Sequence, residues 1–586
     1  MNDPDATGIV HDASIRQFAR QLTAPIGHDR TYRILAIFLP MTLYVIGLYE
    51  FFRWQITSNF DLVFGDRGDA RFVTFIHEHV YRSLIGHSAL LTPPFFFDQI
   101  KTLGYSDTFL LNQLTYAPLR LAGIEPMLAV SIIIIILSAI AFLFLILFLR
   151  QLGLSIAVAS FAAFIFTFAN NLYLKSGHLQ HFAVYYIPVI LYCASAAMRA
   201  VHRRPVQAYA LAAIAAGLLG LLFSTAYYTA WFFGLGLLIF TPIAAYTAWP
   251  QLRAWWKRGP AHIRALGAAT ISGFFATIWI FAVIYVPVLV VGAHRSFDEY
   301  LLFAPTPIDI VNVGLENLVW SRLIRLLHLI RDNRLGFGEV SIAITPIVQL
   351  LLLSSAVLAF RPGFWPLDDA ERVQRGLVIA GASVCALFYL LTIKTHGFSL
   401  FRILYAILPG ASAIRVGYRS MVVANVFAAM AIGLTFDRVI RLALGMQRTW
   451  LRIGVVSAAA CVLALTAVEQ VNLARGSFLS QDFEREHMAA LKASPSECSS
   501  FYAAPQAGTQ PYEVQIDAMM VALAELRPTI NGYSGIFPRG WGLYDTNAPS
   551  YEQEAIRWAA QRGISRGLCR LDLLRGTWTV LPVRHD

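Results

Sequence analysis

Charge is scarce in this chain. Only 14% of its 586 residues are Asp, Glu, Lys or Arg, against about 25% in an ordinary soluble domain. Hydrophobic residues make up 57%, and the mean hydropathy is +0.58. That balance argues against a soluble enzyme and for a polytopic membrane protein. No cleavable signal peptide is expected, because the first thirty residues are polar and the first apolar run lacks a small-residue cleavage site. Long internal repeats and ionisable residues in the middle of apolar stretches are missing as well, which counts against most transporter designs. Cysteine is sparse, at five residues. Cys193, Cys385 and Cys461 fall in apolar segments and read as packing residues. Cys498 and Cys569 lie in the hydrophilic tail, where an oxidising compartment would let them pair.

What the chain has in abundance is apolar runs near the ~20 residues a bilayer requires. About eleven spans are expected, near 32–52, 127–149, 152–170, 182–199, 207–223, 228–248, 265–291, 341–360, 376–393, 419–436 and 453–471. The net charge of +11 is not a nucleic-acid signature, because most arginines sit in short loops between these runs. With the 1–31 segment (Arg16, Arg20, Arg30) on the cytoplasmic side, every loop on that side is short and basic, as membrane topology demands. The expected fold is therefore an all-α polytopic membrane domain over 32–471, followed by a small extracytoplasmic α/β domain over 472–586. In that domain, 500–504 and 577–582 read as strands and 514–525 and 551–561 as helices.

The long loops all fall on the opposite, extracytoplasmic side, and the longest is 53–126. A loop of such length carries structure or function of its own. It holds Gly65-Asp66-Arg67-Gly68-Asp69, then His77-Glu78-His79 expected to begin a helix, then a Pro93–Phe97 wedge that reads as an interfacial aromatic anchor, then Asp107. Asp66 and Asp69 have two readings: a turn with helix-capping aspartates, or carboxylates that act as base or metal ligand at the membrane surface. Glu78 is either a solvated helix residue or a cleft residue. Asp107 is either a helix cap or an acceptor or metal contact. Gly177-His178-Leu179-Gln180-His181 brings two histidines and a glutamine to the same side, suited to a metal or a phosphate. Arg402, Arg415 and Arg419 are more telling, because topology disfavours cations there; with His178 they are candidates to grip a phosphate. Glu316 and Glu339 in the loop before the eighth span are further acceptor or metal candidates. A divalent cation, Mg or Mn, would use Asp66, Asp69 and His178.

The acidic pair after the first span, the segment 76–81, Leu103–Asp107 with Tyr116-Ala117-Pro118, Gly177–Gln180 and Arg415–Arg419 together resemble the GT-C superfamily of membrane glycosyltransferases. The resemblance covers residues 30–470 as architecture. It implies a sugar taken from a polyprenyl-phosphate carrier, an acidic residue of the first loop as base or metal ligand, and transfer to an extracytoplasmic glycan, lipid or protein. It also implies a bacterial inner membrane with the tail in the periplasm. The sequence lacks the Trp-Trp-Asp triplet of oligosaccharyltransferases, which disfavours protein asparagine as acceptor. Two other readings stand beside it: a flippase for a lipid-linked saccharide, and a non-catalytic protein of envelope assembly.

Overall fold

A computed structural model describes residues 30–582, apart from 291–294, 330–336, 366–367, 476–477, 492, 505, 507 and 565. Apart from its last residues, the N-terminal segment 1–31 lies outside the described residues. Nine helices among those described are long and apolar enough to cross a membrane, from Pro126–Gln151 to Thr449–Val468. Two more apolar stretches complete the helical body. Arg30–Thr57 is helical with a kink at Phe52, and Pro346–Phe360 is a shorter helix of 15 residues. The stretch around Ser224–Tyr228 does divide two spans. Ala226 is extended, which ends Pro205–Thr225 and lets Tyr227–Thr247 begin.

Small residues set the closest helix contacts. A Cβ on Gly273 would lie 2.3 Å from the carbonyl of Ala213, and one on Gly220 would lie 2.2 Å from Thr277 Oγ1. Pro205–Thr225 and Pro260–Val290 therefore meet backbone to backbone, as small residues allow within a bilayer. Ser420–Leu444 is buried along nearly its whole length and forms the centre of the bundle.

The first loop is ordered. It contains a strand at Leu62–Phe64, a helix at Asp69–Leu84 and a second helix at Gln113–Leu121. The helix begins eight residues before the expected start at His77, because the turn at Gly65-Asp66 caps it there. The Pro93–Phe97 wedge is also not a lipid anchor. Phe95 and Phe96 are buried, Phe96 stands edge-on to Trp541 at 4.8 Å, and a Cβ on Gly532 would strike its ring.

That contact belongs to the tail. Ser500–Ala503 pairs in parallel with Leu568–Asp572, which pairs antiparallel with Thr577–Val580. Helices Gln481–Ala489, Pro511–Glu525 and Tyr551–Gln561 accompany this sheet, and Cys498 is bonded to Cys569 in its core. A further strand, Phe478–Ser480, runs antiparallel to Leu62–Phe64, so the tail grips the first loop just ahead of the acidic pair. Beneath that strand, Phe64 meets Phe51, Phe182 and Tyr173 at centroid distances of 5.9–6.4 Å. Each such pair contributes on the order of 1 kcal/mol beyond area burial. Together they fix the strand against the segment that carries His178.

Candidate functional site

The acidic turn is built by one glycine and one aspartate. Gly65 has φ +104°, and a Cβ there would come within 2.8 Å of Ala70 Cβ, so only glycine makes this turn. Asp66 Oδ1 then accepts the backbone N–H groups of Gly68 (2.9 Å) and Asp69 (2.8 Å). These are donors that a starting helix leaves without intrahelical partners. The structure thus gives Asp66 a capping task and sets Asp69 in the first helical turn, its side chain about a third exposed (35%).

Asp69 leads into a chain of charges. Its Oδ2 lies 2.7 Å from His178 Nδ1, and His178 Nε2 lies 3.4 Å from Glu339 Oε1. Glu339 in turn accepts from Arg419 at 2.8 and 3.2 Å and from Lys175 Nζ at 3.0 Å. Three cationic groups thus share two carboxylates. Burial pulls the His178 imidazole down, but its contacts with Asp69 and Glu339 outweigh this and leave its pKa raised. Burial also pulls the Lys175 ammonium down, to about 8, against the attraction of Glu339. For Glu339, desolvation is overcome by Arg419, His178 and Lys175, and its carboxyl is held far below the usual carboxylate range.

The other candidates are distributed as follows. Arg419 alone of the three arginines joins this cluster. Arg415 lies 3.9 Å from Glu299 and covers the ring of Phe303, while Arg402 is exposed over Phe297. The expected three-arginine grip is therefore not assembled, because Arg402 lies on the short helix Phe401–Ile407 and Arg415 in the loop after it, each packed on a local ring. His181 is buried one turn beyond His178, its ring centroid 6.1 Å away, and its Nε2 has no hydrogen-bond partner among the described residues. Gln180 is half-buried on the same turn.

Glu78 is not brought to the cluster. It lies nine residues along the helix from Asp69, about 13 Å of axial rise, and is held by Arg120 (2.8 Å), Tyr116 (2.9 Å) and Arg82 (3.2 Å). Glu316 pairs with Arg325 at 2.7 Å on the surface. Asp107 accepts the backbone N–H of Tyr227 at 2.9 Å and so caps a span, while desolvation pushes its carboxyl up to about 6. Among the described residues, no three His, Cys, Asp or Glu side chains stand close enough together to hold a metal ion. Among the described residues the expected Asp66–Asp69–His178 set is not drawn together as a metal group: Asp66 Oδ1 accepts two amides and Asp69 Oδ2 faces His178.

Lys175 was not singled out in the sequence, though a signal existed. It is a cation at a span end that the loop charges lead one to expect on the extracytoplasmic side, the same disfavoured position as that of Arg419. Tyr533 of the tail also comes close to the acidic turn, its ring edge-on to that of Phe72 at 5.7 Å.

No family model matches the sequence, and no curated protein does. Among solved structures, the apo oligosaccharyltransferase of Archaeoglobus fulgidus is similar with TM-score 0.50 at 11% identity, over 91% of this chain and 69% of that one. The arabinofuranosyltransferase AftD from Mycobacteria gives TM-score 0.45 at 12% identity over 84% of this chain, which spans 31% of AftD. ArnT from Cupriavidus metallidurans, bound to undecaprenyl phosphate, gives 0.33 at 11% identity, with 85% of each chain covered. These neighbours are GT-C glycosyltransferases. At such low identity the likeness speaks to fold alone, and the archaeal structure carries it. This chain is a multi-pass membrane protein with a GT-C-like fold and a small C-terminal α/β domain.

Proposed function

We propose that the chain is a membrane glycosyltransferase that moves a sugar from a polyprenyl-phosphate donor to an extracytoplasmic acceptor, with Asp69 as base. The observation that carries this reading is the Asp69–His178–Glu339 chain backed by Arg419 and Lys175. A partly exposed carboxylate beside cations suits removal of a proton from an acceptor hydroxyl while a phosphate departs. Asp69 takes the proton, the acceptor oxygen attacks the anomeric carbon from the face opposite the phosphate, and the carbon–oxygen bond to phosphate breaks. The polyprenyl phosphate leaves with the bonding pair, its charge met by Arg419 and Lys175. One displacement inverts the anomeric centre. His178 holds the Asp69 carboxylate in place. No step is routed through a metal.

The acceptor is a glycan, lipid or protein at the outer face of a bacterial inner membrane, with the tail in the periplasm. The bond between Cys498 and Cys569 supports an oxidising compartment for the tail. The test is release of polyprenyl phosphate by reconstituted protein given a panel of polyprenyl-phosphate sugars, with and without chelator. Asp69→Asn should lower turnover by about 100-fold or more, while Asp66→Asn should act through the turn and cost less. Wild-type turnover in Asp69→Asn, or retention of the donor's configuration, would overturn the scheme.

A further inference from the structure

An arginine in the first turn of a helix faces the positive end of the helix dipole and is disfavoured there. Arg71 nevertheless occupies the first turn of Asp69–Leu84, and its side chain is wholly buried. A buried guanidinium persists only where carboxylates meet it. Both that it meets come from the tail, Glu484 at 2.9 Å and Asp517 at 2.5 Å. Arg67 reaches into the same group, with Glu484 at 3.1 Å, Glu513 at 3.1 Å and Asp517 at 3.7 Å. His487 Nε2 stands 3.4 Å from the same Asp517 oxygen. The two arginines flank Asp69 in sequence, two residues before it and two after, and both are anchored in tail helices Gln481–Ala489 and Pro511–Glu525.

Neighbouring contacts act in the same direction. The strand before the turn pairs with Phe478–Ser480, the ring of Tyr512 lies 3.0 Å from where a Gly68 Cβ would be, and Phe72 meets Tyr533 edge-on at 5.7 Å. Farther along the loop, Phe96 and Phe97 donate backbone N–H groups to the carbonyls of Asn531 and Thr529.

We infer that the C-terminal domain is a working part of the aspartate site, and that Arg67 and Arg71 are positioning residues holding Asp69 against His178 through Glu484, Glu513 and Asp517. The anchoring stands on geometry alone; its effect on turnover rests on the reading of Asp69 as base. Side chains that touch no substrate thereby set the place of the reacting carboxylate.

The test uses the full chain in nanodiscs and compares wild type with Arg71→Met, Asp517→Asn and the conservative Arg71→Lys. Amide hydrogen exchange over 62–72 should rise at least tenfold in Arg71→Met and Asp517→Asn and return near wild type in Arg71→Lys. Exchange in spans Pro126–Gln151 and Ser420–Leu444 should not change. In the transfer assay the same two variants should lose kcat with little change in donor KM. Unchanged exchange over 62–72 would overturn the anchoring, and loosened exchange with unchanged kcat would overturn the positioning role. Wild-type protein that transfers no sugar would refute the proposed activity instead, and exchange would still decide the anchor. Should Arg71→Met fail to fold, Glu513→Gln at the rim of the cluster should still raise exchange a few-fold, and no rise there would count equally against the anchor.

Discussion

Glu339→Gln is the sharpest probe of the charge chain. The carboxylate lies within 2.8–3.4 Å of Arg419, Lys175 and His178. The side chains of Arg419 and Lys175 are 9% and 5% exposed, so little solvent screens these pairs. At an effective dielectric constant near 20, each contact at ~3 Å carries roughly 5 kcal/mol of attraction, most of it offset by the desolvation already incurred. Removing the charge while keeping the shape leaves the cations facing one another. Breaking a buried pair by removing one partner costs about 3–5 kcal/mol, and we expect Glu339→Gln to lose about 3 kcal/mol in a denaturant titration of the reconstituted protein at pH 7.

The pH dependence gives the check. Lys175 has a folded pKa of about 8, below its unfolded value near 10.4. Between those values the unfolded chain binds more protons, so stability rises with pH across that window. Without Glu339 the window opens lower, and the deficit of Glu339→Gln relative to wild type should shrink between pH 7 and 9 as Lys175 loses its proton in both proteins. A deficit below about 1 kcal/mol, or one that widens with pH, would refute the account of Glu339 as the carboxylate that neutralises this cluster.

Two further outcomes are expected. The folded pKa of His178 lies above its unfolded value near 6.5, so its contribution is complete below about pH 6.5 and fades as pH climbs through the folded value; the stability gap between wild type and His178→Gln should therefore be larger at pH 6 than at pH 9. The Cys498–Cys569 bond closes a loop with a sequence separation of 71, worth about 4 kcal/mol on a chain-entropy estimate; Cys498→Ser should speed proteolysis of the tail under conditions that leave the spans intact, and equal cleavage rates would contradict that value.

The membrane body was legible because its signal is local. A stretch such as Ile132–Leu149 carries no charge at all, and length with hydropathy is enough to mark a span. The acidic pair and the Gly177–His181 segment were also visible, but as separate stretches. Their union depends on Asp69 meeting His178 across more than a hundred residues, and no period or spacing encodes that. The same limit explains the misreadings. Glu78 looked available because its partner Arg120 lies 42 residues on. Phe95 and Phe96 looked like lipid anchors because their actual partners, Gly532 and Trp541, stand at the other end of the chain. Asp66 and Asp69 could be told apart only once the turn showed which carboxylate receives the helix amides.

The placement of the cations follows from the same long-range assembly. Membrane insertion disfavours Lys and Arg on the extracytoplasmic side, and a buried guanidinium or ammonium without a counter-charge costs several kcal/mol. On the proposed orientation Arg419 and Lys175 lie on that disfavoured side, where Glu339 arrives from a different loop and meets both. On the proposed reading, a donor phosphate approaching Arg419 and Lys175 competes with Glu339 for them. Glu339 then holds the cations in a phosphate-ready arrangement before the donor arrives, so little reorganisation is left for the transfer step. The stability that Glu339 supplies and the affinity for donor consequently oppose each other. Glu339→Gln should fold less stably yet bind a polyprenyl-phosphate sugar no more weakly than wild type, whereas a purely structural Glu339 would lose both together.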